Sequence, residues 1–128
     1  DLLNMQTGLL GHKGRILFQM ASCINDELEK LDRKLPKQEL FMAISALIDK
    51  KIHSNYQIFA NNYVAHDLLF DKDEFVEFYS SEDKKRFINY IDGQLNRVTL
   101  PNADIAFLRE KLLLMYSNPL TNYLKATK

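Results

Sequence analysis

The adjacent residues His66 and Asp67, in the segment VAHDLLFDK, are the part of this chain whose residue types are best suited to metal chemistry. Imidazole nitrogens and carboxylate oxygens both bind ions such as Zn²⁺. A helix can direct two such neighbouring side chains at one ion. In the alternative interpretation, His66 lies at a helix end and is paired with, or capped by, a neighbouring acid.

The His66-Asp67 pair resembles the core signature of HD-domain metal hydrolases, an all-helical family that hydrolyses phosphate esters. The resemblance implies that both residues bind a metal, together with an earlier His and a later Asp. The candidates for these two further positions are His12, His53, Asp92 and Asp104. The similarity covers fewer than a dozen residues, and Leu68 stands where the family has Gly. It implies a metal-dependent phosphohydrolase as one alternative function.

A basic, glycine-flanked loop contains His12, Lys13 and Arg15, in the segment GHKGR. Unpaired N–H groups at the start of a helix attract anions, and the basic side chains would add to that attraction. The loop lacks the GxxxxGK[ST] spacing of a Walker motif. The sequence therefore predicts a site for a phosphate or an anionic lipid headgroup, such as that of a phosphoinositide. The alternative is a mobile, solvated loop.

An aromatic and acidic connector, residues 68–79, contains Phe70, Phe75 and Phe78. Its acidic residues are Asp71, Asp73, Glu74 and Glu77. Exposed aromatic side chains and a charged face are typical of surfaces that bind protein partners. A calcium-binding EF-hand loop beginning at Asp71 is excluded, because Val76 occupies the position that requires Gly.

Other catalytic chemistry has no candidate residues. No GxSxG segment occurs, and the single cysteine, Cys23, has no partner placed to activate it. We expect Cys23 to be a small buried residue in a reducing compartment. Lys plus Arg and Asp plus Glu are equal, at 17 each, which argues against a nucleic-acid-binding protein. We expect no cofactor.

Apolar residues recur at steps of three and four along most of the chain, which predicts helices. The predicted helices cover residues 15–34, 36–51, 55–64, 82–95 and 102–117, with short helices near 75–79 and 120–124. Residues 1–13 are expected to form an arm or a short helix. In the patterns over residues 15–34 and 102–117 the expected buried residues are Leu17, Met20, Ile24, Leu28, Leu31, Leu35, Ile105, Leu108, Leu112 and Met115.

These elements predict a single all-α domain over residues 1–128, an irregular bundle of five to seven helices. The chain is long enough for one hydrophobic core, and its longest apolar run is too short to cross a bilayer. The chain begins with Asp1 and not Met, so we expect it to be a fragment of a larger protein or a processed product.

The sequence favours a non-enzymatic interaction or targeting module that binds a protein partner through Phe70, Phe75 and Phe78 or the adjacent acidic face. A composition rich in Asn, Lys and Phe is similar to that of accessory domains of bacterial secreted effectors. We therefore expect a soluble, cytoplasmic protein, in the host cytosol or at a membrane surface. Anionic-lipid binding and metal-dependent hydrolysis remain the alternatives.

Overall fold

The computed structural model describes residues 2–11 and 14–128, and this part of the chain is all-α. The helices are α1 (Leu2–Leu10), α2 (Asn25–Glu29), α3 (Lys37–Ser54), α4 (Ala60–Phe70), α5 (Ser81–Leu95) and α6 (Ile105–Thr127), with a 3₁₀ turn at Val76–Phe78. No strand occurs among the described residues. The predicted fold class is confirmed.

Helix α4 lies at the centre of the fold. Its most extensive contact is with α6, and it also packs against α5 and the 3₁₀ turn. The core that these helices bury consists of Val64, Ala65, Phe87, Ile91, Leu95 and Leu113. Burying each large apolar side chain contributes about 1.5–3 kcal/mol to folding. Helix α3 packs on α6, so α6 is shared between α4, α5 and α3.

Side-chain caps determine where three helices begin. The Ser80 hydroxyl accepts a hydrogen bond from the Asp83 N–H (3.1 Å), and the Asp83 carboxylate accepts one from the Ser80 N–H (3.0 Å). This reciprocal pair caps α5, which begins at Ser81, one residue before the predicted start at residue 82. The Asn62 amide oxygen accepts from the Phe59 N–H at the start of α4, and Asp104 caps α6.

The prediction of a helix over residues 15–34 is wrong. Residues 14–24 have no regular secondary structure, and only α2 is helical within the predicted range. Met20 is 96% exposed and Phe18 93% exposed, and Cys23, which we expected to be buried, is also exposed. An amphipathic pattern stabilises a helix only when its apolar face packs on a partner, and Phe18 and Met20 of this segment are left exposed.

Two other helices also differ from their predicted limits. The predicted helix over residues 55–64 is wrong in its first half, because residues 56–59 have no regular secondary structure and α4 then runs from Ala60 to Phe70. Helix α6 continues through Pro119, where we expected an end. Proline inside a helix costs about 3 kcal/mol. Burial of the Leu120 side chain, which is 1% exposed, offsets part of that cost by about 1.5–3 kcal/mol.

The buried face of α6 is rotated relative to the prediction. Leu113, Ser117 and Leu120 are buried, whereas Ile105 and Met115 are about half exposed. None of the described helices is both long and apolar enough to cross a membrane.

Candidate functional site

The carboxylate of Asp67 fixes the connector that leaves α4. Asp67 is only 2% exposed, and its Oδ2 accepts hydrogen bonds from the Phe75 N–H (3.0 Å) and the Tyr79 hydroxyl (2.8 Å). Asp71 ends α4 in the left-handed conformation (φ 50°). The connector therefore folds back over α4, held by a charged group at its centre.

The pKa of Tyr79 reflects this arrangement. Burial, and then the hydrogen bond to Asp67, raise the pKa of the Tyr79 phenol to about 12. The phenol therefore remains a proton donor to the carboxylate throughout the physiological pH range.

Five aromatic rings form one cluster between α4 and the connector. The aromatic cluster consists of Tyr63, His66, Phe70, Phe75 and Phe78. The Tyr63 ring stacks on Phe78 with the ring centroids 4.7 Å apart, and the His66 ring meets Phe75 edge to face at 5.1 Å. Phe70 and Phe78 are 49% and 50% exposed, whereas Phe75 is half-buried at the centre. The connector thus displays two phenyl rings at the surface on a packed base.

The surface beside the aromatic cluster is acidic. The side chains of Asp71, Asp73, Glu74 and Glu77 are all exposed. Lys72 is the one basic residue within the same turn, and the Lys84 ammonium lies 3.9 Å from Asp73. Acids therefore outnumber bases around the rings, which favours a partner segment of positive charge.

The structure brings the three predicted partner-binding phenylalanines together, with different exposure. Phe70 is at the end of α4, and Phe75 and Phe78 flank the 3₁₀ turn. Phe75 mainly supports the other rings. The sequence did not identify Tyr63 as a member of the cluster, although its spacing of three residues from His66 places both on one face of α4.

The hypothesis that His66 and Asp67 bind a metal depends on where their donor atoms lie. His66 Nδ1 and Asp67 Oδ1 are 3.9 Å apart, and both are buried without a hydrogen-bond partner. No group of three His, Cys, Asp or Glu side chains with metal-binding geometry occurs within residues 2–11 and 14–128. Asp67 Oδ2 is already engaged by the connector. His66 lies within α4 and not at its end, so it differs from the helix-end histidine of the alternative interpretation.

Of the predicted anion-binding residues, only Arg15 can be placed, because His12 and Lys13 lie outside the described residues. The Arg15 guanidinium lies over the Phe59 ring, 5.5 Å from its centroid. Arg15 also lines a cavity that is bounded by Asn61, Asp83 and Arg86. The cavity therefore contains two guanidinium groups and one carboxylate.

No protein family, curated protein or solved structure matches this chain.

Proposed function

We propose that this chain is a non-enzymatic module that binds a basic segment of a protein partner through the aromatic cluster. The observation that carries the proposal is the half exposure of Phe70 and Phe78 on a base that Asp67 holds in place. Large aromatic side chains in a fixed geometry are the residues that most often dominate binding energy at protein interfaces.

Preorganisation is the physical advantage of this surface. Each immobilised side chain costs about 0.5–1.5 kcal/mol on binding, and a cluster that is already packed avoids much of that cost. The hydrogen bonds from Phe75 N–H and Tyr79 to Asp67 restrain the connector before any partner arrives. The rings would therefore present a ready apolar anchor site.

The acidic surroundings define the partner's chemistry. Exposed carboxylates at Asp71, Asp73, Glu74 and Glu77 would attract Lys or Arg side chains flanking an apolar anchor. Arg would be favoured over Lys, because its planar guanidinium can stack on a phenyl ring and bind a carboxylate at the same time. Binding would weaken with added salt because these carboxylates are exposed.

The experiment is a selection of random peptides, about ten residues long, displayed against the wild-type chain. We expect the selected peptides to combine net positive charge with one large apolar residue. The variants Phe70→Ala and Phe78→Ala should each raise the Kd of a selected peptide by roughly 10- to 100-fold. Peptides that are acidic, or that bind both variants as tightly as the wild type, would contradict the proposal.

Phe107→Ala is the matched control. Phe107 lies on α6, outside the aromatic cluster, and its exposed fraction is similar to those of Phe70 and Phe78. Within the described residues, the Lys111 ammonium is the one cation over its ring, and no other aromatic ring stacks on it. The control should leave peptide affinity unchanged. Thermal unfolding of all three variants would show whether the fold is retained.

Two other functions predicted from the sequence have less support. For anionic-lipid binding, the one described residue, Arg15, shares its cavity with Asp83. For metal-dependent hydrolysis, His66 and Asp67 have no third ligand group among the described residues. Sedimentation with phosphoinositide vesicles and metal analysis of the purified protein test these alternatives. An origin in a bacterial secreted effector, and a cytosolic location, stay predictions from composition.

A further inference from the structure

Helices α3 and α6, which pack on each other, border a cavity of about 390 Å³. Its lining from α3 consists of Ala46, Asp49, Lys50 and His53, and its lining from α6 and the residue after it consists of Asn122, Lys125, Ala126 and Lys128. The two alanines are the smallest of these side chains, so they leave space between the helices. The other lining residues are all polar or charged.

The helix period brings these residues to the cavity. On α3, Ala46, Lys50 and His53 recur at steps of four and three, and on α6 Asn122 precedes Lys125 by three. Residues three or four apart lie on the same face of a helix. Two rows of polar side chains therefore face one cavity from two regular helices, and the packing of those helices fixes its shape.

The cavity has an excess of positive charge that the chain does not neutralise. Its one carboxylate is that of Asp49, and its ammonium groups are those of Lys50, Lys125 and Lys128. None of these three lysines forms an ion pair within the described part of the chain, whereas the neighbouring Lys51 pairs with Glu27 at 2.6 Å. Ammonium groups around one cavity repel each other, and an anion between them would turn that repulsion into attraction.

The helix dipole accounts for only part of this cluster. Cations are favourable in the last turn of a helix, where His53 and Lys125 lie. Lys50 lies before the last turn of α3, and Asn122 has no charge to offer the dipole. The Asn122 amide is half-buried, and the side-chain hydrogen bonds that α6 forms do not involve it. Lys50 and Asn122 therefore supply donors that the helix ends do not require.

We propose that this cavity binds the phosphate monoester of a small ligand. The ammonium groups of Lys50 and Lys125 are the main contacts, and Asn122 and His53 are further donors. A phosphate monoester carries about 1.5 to 2 negative charges at neutral pH and has three acceptor oxygens. Lys binds such a group as a point charge. A carboxylate carries one charge on two oxygens, so it would satisfy fewer of these donors.

The size of the cavity limits the ligand. Binding cavities for small molecules are about 300–1,000 Å³, and this one is near the lower end of that range. A nucleic acid needs cations along several successive phosphates, and these lysines form one local group. The phosphate can belong to a soluble ester or to a phosphoinositide headgroup, since both present the same monoester. The cavity shares no residue with the aromatic cluster.

The test is an NMR titration of the isotope-labelled 128-residue chain with inorganic phosphate. We expect amide signals of residues 46–53 and 122–128 to shift and to saturate with a Kd of about 1–10 mM. Sodium chloride at matched ionic strength should not reproduce these shifts, because chloride carries a single charge and no oxygens. Sedimentation with phosphatidylcholine vesicles that contain a phosphoinositide then distinguishes the two sources. Sedimentation indicates a lipid headgroup and its absence a soluble ester, and each agrees with the proposal.

Two double variants make the same change in net charge. In Lys50→Glu/Lys125→Glu the Kd for phosphate should rise at least about 10-fold. The control Lys72→Glu/Lys85→Glu alters two exposed lysines outside the cavity and should leave the Kd unchanged. If vesicles bind the wild type, the first variant should lose that binding, which would separate this cavity from the loop that contains Arg15.

Phosphate shifts that do not saturate, or that sodium chloride reproduces, would overturn the proposal. So would a phosphate affinity that Lys50→Glu/Lys125→Glu retains, or that both double variants lose equally. Because Lys50 and Lys125 are exposed, thermal unfolding of the variants should match that of the wild type. If the charge reversal unfolds the chain, Lys50→Gln/Lys125→Gln allows the same comparison.

Discussion

Replacing Asp67 by Ala is the perturbation that tests most directly how the connector is held. The change removes the acceptor of two hydrogen bonds and leaves the Phe75 N–H and the Tyr79 hydroxyl without their partner. Hydrogen bonds to a charged group contribute about 1.5–3 kcal/mol each. The free-energy cost of burying the Asp67 carboxylate in the folded state reduces the sum of the two contributions. We expect a loss of about 3 kcal/mol in the free energy of unfolding.

Urea denaturation is the assay. For a domain of this size the loss corresponds to a fall of about 2 M in the midpoint. A stability of about 5–15 kcal/mol is usual, so the variant should still fold. Hydrogen exchange at the Phe75 amide should accelerate more than exchange in α5, because the connector opens while the core remains packed.

A double-mutant cycle separates the two hydrogen bonds. Tyr79→Phe removes only the phenolic hydroxyl and should cost about 1–2 kcal/mol. In the Asp67→Ala background the same change should cost almost nothing, since its acceptor is gone. Equal costs of Tyr79→Phe in both backgrounds, or a loss below about 1 kcal/mol for Asp67→Ala, would refute this account of the connector.

Two further predictions concern local interactions. Ser80→Ala removes the capping acceptor of the Asp83 N–H and should lower the free energy of unfolding by about 1 kcal/mol, measured by urea titration. The control Ser81→Ala, at the neighbouring position, should have little effect in the same titration. The pKa of Tyr79 is raised from 10.0 to about 12, chiefly by burial, so the folded state binds the phenol proton more tightly than the unfolded state. The resulting stabilisation is complete below pH 10 and is lost as the pH rises through about 12. Urea midpoints measured across that range should fall less steeply for Tyr79→Phe; an identical fall would contradict the raised pKa.

Only part of the aromatic cluster could be predicted from the sequence. The sequence placed Phe70, Phe75 and Phe78 in one connector, because their positions within residues 68–79 are a local signal. It did not predict that Asp67 would hold the connector. A buried carboxylate with two donors from residues 8 and 12 positions away has no local signature.

The sequence by itself determined the all-α class, the beginning of α3 after Pro36 and the extent of α5, because helix periodicity, proline and capping residues act within a few positions. The conformation of residues 14–24 and the continuation of α6 depend on tertiary contacts. Residues 14–24 carry a helical pattern but are not helical, and the side chains of Phe18 and Met20 remain exposed. Pro119 should end a helix, yet α6 continues through it, and burial of the neighbouring Leu120 side chain offsets part of the cost. Periodicity shows which face of a helix is apolar, but only the positions of other helices decide whether that face is covered.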